Sequence, residues 1–225
     1  MLVVDVGVNL VKSWQRAQIA SLVSLRAEDD PQRHGRRREE TRGGLGLRRG
    51  VDGYLGPVLH GRVVAEPHNL GRGWVGFDFA EAFGCPVKVV NDAAMQALGS
   101  YRGGNMLFLG LGTGLGSTMI VDGIIAPMEL GHLPYKKSTY EDYVGRAGLE
   151  RHGKTKWRRY VADVVTRLIA ALGPDETVIG GGNAGKLAAL PPRTRAGHNA
   201  NALRGGFLLW QEKKSHTATR SMRRP

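Results

Sequence analysis

The residues best suited to chemistry lie in a glycine-rich stretch, residues 106–121. Apolar runs at 106–109 and 119–121 predict two strands joined by a loop, and that loop contains Gly110, Gly112, Gly114 and Gly116. Without Cβ atoms, several backbone N–H groups can point at one spot, and the hydroxyls of Thr113 and Ser117 would add donors there. The stretch favours an anion site, with phosphate as the best candidate. A plain glycine-rich turn is the alternative.

A polar pair, Asn91 and Asp92, follows the predicted strand 86–90 and opens a predicted helix at 93–100. The carboxyl end of a strand is where α/β folds place catalytic side chains. An ordinary helix cap would also put Asn or Asp there. The residues alone leave both interpretations open.

Glu129 and His132, three residues apart, could share a face and bind a metal or a set of hydroxyls. The chain has one cysteine, Cys85, and no second histidine nearby, so hydroxyl binding is favoured over zinc. Cys85 is expected to be a buried apolar side chain, and disulfides are excluded.

A second glycine loop follows the predicted strand 177–179 and contains Gly181 and Gly182. With a predicted helix at 184–190 after it, the loop would be another anion or nucleotide cradle. The clearest helix is predicted at 157–172, where apolar residues form one stripe and Gly173-Pro174 stops it. Residues 148–155 formally fit the P-loop pattern, but no apolar strand precedes them, so we reject that interpretation.

The start of the chain is less regular. A strand at 2–4 leads to Asp5 and Gly7, and a second strand ends at Lys12, which suits a phosphate-facing turn with a metal nearby. A modest helix is predicted at 15–26. Because the sequence that follows is rich in arginine and glycine, residues 13–50 are predicted to be poorly ordered.

The net charge of +12 is concentrated in two arms, residues 33–49 and 213–225, each of net +5. Basic arms on a neutral body occur in nucleic-acid binders. These arms lack interleaved aromatic residues, so solvated charge is the preferred interpretation and no specific nucleic-acid partner is expected. The absence of an apolar run of membrane-spanning length and of a secretory signal predicts a soluble cytoplasmic protein with no membrane partner.

Taken in order, several motifs resemble one family: GYLGPVLHG, EPHNLG, VVNDAAMQALG, FLGLGTGLGS, VDGIIAPMELGHLPY, TYEDYVG, VIGGGNAGKL and NANALRGGF. The chain is similar to the ROK-family sugar kinases, and within them to the polyphosphate glucokinases. The resemblance is close over 51–210 and loose over 1–12. It implies an α/β, actin-like ATPase (ribonuclease H-like) two-lobed fold, here with an eroded first lobe. The expected lobes are 1–91 and 92–210, followed by a basic tail at 211–225.

The resemblance also implies phosphoryl transfer from ATP or polyphosphate, with Mg²⁺, to the 6-hydroxyl of a hexose, here glucose. It assigns the catalytic base to Asp92. Sugar hydroxyls would be held by Asn69, Asn91, Glu129, His132 and Glu141, the last being the least secure because Glu150 lies close by. Donor phosphates or a nucleotide would lie against Asp5, Gly7, Lys12, Gly112, Thr113, Gly114, Gly116, Gly181 and Gly182. Asp5 is the one protein candidate for contacting Mg²⁺.

The chain departs from the family pattern at several places. The family phosphate turn D-x-G-G-T is altered at Val8 and Asn9, and Leu55 stands where the family has proline. The zinc-binding cysteine cluster of many members is absent, so no zinc is expected. Residues 13–50 match nothing. A catalytically weak or inactive sugar-binding or regulatory protein is therefore the alternative function. The sequence allows a homodimer without predicting one.

Overall fold

We describe the chain from a computed structural model that covers residues 2–7, 10–15, 18–23, 49–66 and 72–211, the first three ranges as backbone only. Its first sheet has five strands, in the order β3-β2-β1-β4-β7. Strands β1 (Leu2–Gly7), β2 (Leu10–Gln15) and β3 (Gln18–Val23) are antiparallel neighbours, whereas β4 (Gly50–Tyr54) and β7 (Val87–Asn91) continue the sheet in parallel with β1. Strands β5 (Val58–Leu59) and β6 (Arg62–Val63) form a small separate hairpin, and so do β11 (Pro134–Tyr135) and β12 (Ser138–Thr139).

The second sheet repeats this order with β10-β9-β8-β13-β14. Strands β8 (Asn105–Leu111), β9 (Leu115–Val121) and β10 (Ile124–Met128) are antiparallel, and β13 (Glu176–Gly180) and β14 (Thr194–Ala196) run parallel to β8. Asp122 and Gly123 make the tight turn into β10, both with positive φ. Two sheets of equal order agree with the predicted α/β two-lobed fold.

Five helices pack on these sheets in the described residues. They are α1 (Phe79–Phe83), α2 (Asp92–Ser100), α3 (Tyr140–Val144), α4 (Arg146–Leu172) and α5 (Ala200–Leu208). The long α4 is broken at Gly153, which has a φ of 70°. Beyond the break the predicted apolar stripe, Trp157, Val161, Val164, Val165 and Leu168, is buried against the second sheet. A glycine with left-handed φ, Gly173, ends the helix as predicted.

Helices α2 and α5 join the two sheets. Ala93 and Ala97 of α2 pack with Phe108 of the second sheet, whereas Met95 packs with Val51 of the first. Helix α5 contributes Ala202 and Leu203 to the same cluster as Val51. The sequence-based division at residue 91 stays a prediction, and α5 contacts both sides of it.

The two helices cross at unusually short distance because glycines lie at the crossing. A Cβ on Gly99 would overlap the Asn201 carbonyl, and one on Gly205 would overlap the Met95 carbonyl. Trp210, just after α5, donates its indole N–H to the Gly50 carbonyl over 3.0 Å. The end of α5 is thereby fastened to the first sheet.

Two helix predictions are wrong. Within 15–26 the described residues form the end of β2 and all of β3, which are paired through Trp14 and Ile19. Within 184–190 the chain makes only a one-turn 3-10 helix, Ala184–Lys186. The P-loop match at 148–155 falls inside α4, which supports its rejection.

Parts of the remaining predictions concern residues outside the described ranges. These are the poor order of 24–48, the turn at Val8 and Asn9, and the basic tail beyond residue 211. Among the described helices, none combines the length and the apolar character needed to cross a membrane.

Candidate functional site

The predicted glycine hairpin forms, and its tip is a three-residue loop. Leu111 pairs with Leu115, so Gly112, Thr113 and Gly114 make the tip. The Gly112 N–H donates to the Gly114 carbonyl over 3.2 Å, and the Thr113 carbonyl accepts from the Arg146 N–H over 3.0 Å. The tip is therefore fixed on the start of α4. An anion held here would be bound through Thr113 and Gly114 rather than through the Gly112 amide.

Ser117 does not add an anion donor at this tip, contrary to expectation. Its side chain is buried, donates to the Met128 carbonyl over 2.8 Å and accepts from the Leu130 N–H over 3.0 Å. The hydroxyl thus fastens both sides of Glu129 to β9. Its role is to position the neighbouring carboxylate.

Three of the predicted hydroxyl-binding side chains lie together. His132 Nδ1 is 4.0 Å from Glu129 Oε2, and His132 Nε2 is 3.6 Å from Glu141 Oε1. The imidazole therefore lies between two carboxylates that are twelve residues apart in sequence. All three side chains are partly exposed, so they remain accessible to a ligand.

Glu141 is held against the tip of the glycine hairpin. A Cβ at Gly114 would overlap the Glu141 carboxylate, and a Cβ at Gly131 would be 3.4 Å from Glu141 Oε2. The Gly131 Cβ would also be only 2.8 Å from the Leu115 carbonyl. Because these two residues are glycines, there is space between them for the Glu141 carboxylate. Glu150, the alternative to Glu141, is an exposed residue on α4.

The residue after Glu141 sets the start of α3. Asp142 accepts hydrogen bonds from the Ser138 hydroxyl, the Thr139 hydroxyl (2.7 Å) and the Thr139 N–H (3.2 Å), and Thr139 caps the helix in return. The hydrogen bonds from Ser138 and Thr139 hold the pKa of Asp142 below its ordinary value. This capping box fixes the turn from which Glu141 projects.

Both sequence interpretations of Asn91 and Asp92 are compatible with the geometry. Asn91 Oδ1 accepts from the N–H groups of Ala93 (3.0 Å) and Ala94 (3.2 Å), so Asn91 caps α2. Its Nδ2 donates to the Gly56 carbonyl over 3.0 Å. Asp92, half-buried, accepts from Ala93 N–H through Oδ1 over 2.7 Å. Asn91 thus has a structural role, and Asp92 stands one residue inside the helix.

The start of α2 lies against the glycine hairpin. A Cβ on Gly116 would be 3.1 Å from the Ala93 Cβ. Gly116 therefore allows the close approach of α2 to β9, which brings Asp92 to the strand that carries the tip. This packing role was missed, because the sequence suggested only that Gly116 exposes backbone N–H groups.

Asn69 lies outside the described residues, but both ends of its loop are described. Glu66 accepts from the N–H groups of Gly73 (3.1 Å), Trp74 (3.1 Å) and Val75 (3.3 Å). Desolvation opposes ionisation of this carboxyl, yet the three backbone donors hold its pKa below the ordinary value. Glu66 closes the loop that contains Asn69, and this role was not predicted from the sequence.

The second glycine loop lies beside the first. Gly181, with a φ of 86°, packs on Leu111 so closely that a Cβ would be 2.5 Å from the Leu111 carbonyl. Asn183 donates from its backbone to the Leu111 carbonyl over 2.9 Å, and from Nδ2 to the Gly112 carbonyl over 2.8 Å. Lys186 Nζ donates to Asn183 Oδ1 over 2.7 Å. The contacts of Asn183 and Lys186 were not predicted from the sequence, because the expected helix at 184–190 assigned the anion site to the glycines alone.

The residues of the first phosphate turn lie on described backbone. Asp5 pairs with Lys12 across β1 and β2 and with Gly53 of β4, and Gly7 pairs with Leu10. Their side chains are not described. Within the described residues, no group of three or more His, Cys, Asp or Glu side chains is placed to hold a metal.

The candidate site thus has two neighbouring parts around one hairpin tip. On one side lie Glu129, His132 and Glu141, with Asp92 at the start of α2 against β9. On the other side lie Gly181 and Gly182, and a Cβ on Gly182 would meet nothing within 4 Å. The geometry does not bring Asp5, Gly7 or Lys12 into a described contact with this tip.

Comparison with solved structures identifies the class of fold. The chain aligns with the inorganic polyphosphate/ATP-glucomannokinase from Arthrobacter sp. strain KM at a TM-score of 0.78 and 22% identity, over 93% of this chain and 97% of that one. It aligns with a ROK family glucokinase from Streptomyces griseus, solved in complex with glucose and AMPPNP, at 0.74 and 16%, over 93% and 99%. The fold is that of the actin-like ROK sugar kinases, which confirms the predicted fold class.

Sequence comparison is consistent with the more specific resemblance. The chain is 32% identical over 144 residues to the polyphosphate glucokinase of Mycobacterium tuberculosis, covering 57% of this chain and 54% of that protein. The chain thus matches about half the length of the curated relative. No protein-family model matches the chain. The predicted similarity to ROK-family sugar kinases, and among them to polyphosphate glucokinases, is confirmed.

Proposed function

We propose that the protein is a hexose kinase that transfers a phosphoryl group from polyphosphate or ATP to the 6-hydroxyl of glucose. The observation that carries the proposal is the grouping of Glu129, His132 and Glu141 at the hairpin tip, on the strand against which α2 places Asp92. Carboxylates and imidazole suit the hydroxyls of a sugar because they accept hydrogen bonds from them. Asn69 and Asn91 would complete the sugar contacts.

In this proposal Asp92 acts as general base. A carboxylate within hydrogen-bond reach of the 6-hydroxyl takes its proton as the hydroxyl attacks the terminal phosphorus of the donor. The bond from that phosphorus to the donor bridging oxygen breaks, and the shortened donor leaves with the electron pair. The Ala93 N–H, donating to Asp92 Oδ1, orients the carboxylate for this task.

The donor phosphates would lie against Thr113 and Gly114, with Gly112, Gly116, Gly181 and Gly182 allowing close approach. Asp5, Gly7 and Lys12 would face the donor from the first sheet. Magnesium binds through few protein carboxylates plus substrate phosphates, so the lack of a described metal cluster is compatible with it. Asp5, near the carboxyl end of β1, is the protein group that fits this role. When bound, the metal neutralises charge on the transferred group.

The second candidate function is a catalytically weak sugar-binding or regulatory protein of the same fold. It is favoured by Val8 and Asn9, which replace the glycine and hydroxyl that the family resemblance implies in the first phosphate turn. In that case the sugar contacts would persist while donor binding is impaired.

A coupled assay of glucose phosphorylation, run in parallel with ATP and with polyphosphate, tests the proposal. Asp92→Asn should lower turnover by a factor on the order of hundreds or more, because the base is lost. Glucose binding, measured by calorimetry, should survive in the same variant. Retained turnover in this variant would contradict the role of Asp92. Glucose binding without turnover in the parent would favour the second function.

A further inference from the structure

The first half of α4 carries a concentration of positive charge that the proposed reaction does not use. Residues 146–159 contain six lysines and arginines and one glutamate. Lys154, Lys156 and Arg159 are exposed and Arg158 is partly exposed. In the described part of the chain, none of these four forms an ion pair with a carboxylate. Unpaired cations held on a rigid helix suit a polyanion.

Part of this charge is connected to the glycine loops by hydrogen bonds. Arg158 Nε donates to the Lys186 carbonyl over 2.8 Å. Lys186 Nζ donates to Asn183, and Asn183 donates to the Gly112 carbonyl at the hairpin tip. Arg158 is therefore separated from the tip by only two intervening residues.

Helix geometry decides which neighbours share the flank of Arg158. With about 100° per residue, Lys154 lies about 40° from Arg158 in one direction, whereas Arg159 and Lys156 lie about 100° and 160° away in the other direction. We name Lys154, Arg158 and Lys186 the basic row. Arg159 and Lys156 face away from Lys154 and do not belong to it.

We propose that the basic row binds the part of a polyphosphate donor that extends beyond the phosphates at the hairpin tip. This inference rests on the proposed function, since it assumes that the donor end lies at Gly112–Gly114. A linear polyphosphate carries about one negative charge on each phosphate, and such a chain matches a line of cations. ATP and tripolyphosphate have only three phosphates, and the proposal places those at the tip.

Nucleic acid is the competing polyanion. Among the described residues, the basic row has no aromatic side chain stacked for bases: the nearby Trp157 is buried and donates its indole N–H to the Val144 carbonyl. A chain of phosphates without bases is therefore favoured.

The test compares a row variant with a matched control of equal charge. Lys154→Gln removes one exposed charge from the row and leaves the hydrogen bonds of Arg158 and Lys186 in place. Lys156→Gln removes one exposed charge from the other side of the same helix. Binding of long-chain polyphosphate, tripolyphosphate, ATP and a single-stranded DNA homopolymer is measured by fluorescence anisotropy competition at two salt concentrations.

The row variant should bind long-chain polyphosphate about 1.4-fold to fivefold more weakly than the parent, with a shallower salt dependence. Tripolyphosphate and ATP should bind it unchanged, and the control should match the parent for every probe. Equal loss in both variants, equal loss for ATP, or preferential loss of DNA binding would each overturn the inference. Because binding is the readout, a parent that phosphorylates no glucose refutes the proposed function separately.

Discussion

At the scale of single residues, the candidate site depends on glycines, because a side chain at those positions would fill the space that a functional group occupies. Glu141 occupies space that a Cβ on Gly114 would fill, and Gly131 leaves room on its other side. The carboxylate is therefore directed towards His132 Nε2, 3.6 Å away. Small residues at these positions act on the ligand indirectly, through the orientation of a neighbour.

This arrangement predicts different effects for the two glycines on either side of Thr113. Gly114→Ala should displace the Glu141 carboxylate and weaken glucose binding by about 1.5–3 kcal/mol, or roughly tenfold to a hundredfold, because a charge-assisted contact is lost. Gly112→Ala is the matched control, since its Cβ would meet nothing within 4 Å. It should leave glucose affinity unchanged and raise the KM of the donor. Calorimetric titration with glucose checks the first effect, and a similar affinity loss in both variants would contradict it.

At the scale of elements, short hydrogen-bonded units place the functional residues. The capping box of Thr139 and Asp142 fixes α3, and Ser117 fixes the chain on both sides of Glu129. Each unit lies next in sequence to the side chain it positions. Changes in these units should therefore affect both stability and sugar binding.

Asp142 predicts a pH dependence of stability. Its pKa is lowered in the folded protein, from an ordinary value of 3.8, so it stabilises the fold above that pH and the contribution is lost as pH falls through the folded value. Asp142→Asn should lower the free energy of unfolding at pH 7 and weaken its decline below about pH 4. Urea titrations at pH 7 and pH 3 measure this. Parallel losses for parent and variant on acidification would refute it.

The crossing of α2 and α5 gives a second element-scale prediction. Gly99→Ala should destabilise the protein by about 1–3 kcal/mol or more, because the new Cβ would overlap backbone of Asn201 and Gly205, which cannot move freely. Gly185→Ala provides the control, as its Cβ would meet nothing within 4 Å. Thermal and urea unfolding compare the two. An equal, small effect of both substitutions would mean that the crossing can widen without penalty.

At the scale of the whole molecule, the first phosphate turn is the feature that separates the two functional candidates. If the turn needs a positive φ or a close phosphate approach at position 8, a β-branched side chain opposes both, and Val8→Gly with Asn9→Thr should raise turnover. The restored contact would be worth about 1.5–3 kcal/mol, or roughly tenfold to a hundredfold in rate. The coupled assay measures the gain. If the double variant folds as well as the parent and gains nothing, the turn is not the defect.

Elements whose pattern is local were predictable from sequence, as the hairpin of β8 and β9 and the stripe from Trp157 to Leu168 show. Strand β3 was not, because Ile19, Leu22 and Val23 fit a helix equally well and only pairing with β2 decides. The predicted helix at 184–190 failed because Asn183 bonds to the hairpin tip instead of capping a helix.

The candidate site likewise has features that the sequence predicts and features that only tertiary packing decides. Motif resemblance named Glu129, His132 and Glu141, but their contacts depend on how two turns pack together. The basic row was not predicted from the sequence. The two basic arms account for most of the net charge of +12, and the charge of the remaining residues is close to balanced. Only the contacts of Arg158 and Lys186 distinguish a row from scattered surface charge.

The glycine-mediated crossing of α2 and α5 also sets the order of events during synthesis. About a hundred residues separate the two helices, so roughly 5–20 s of translation pass before α5 can cover α2. During that interval Met95 and Val51 have no partner from α5. A nascent chain arrested near residue 190 should therefore expose an apolar surface and recruit chaperones, whereas one that includes residue 210 with the exit tunnel cleared should not.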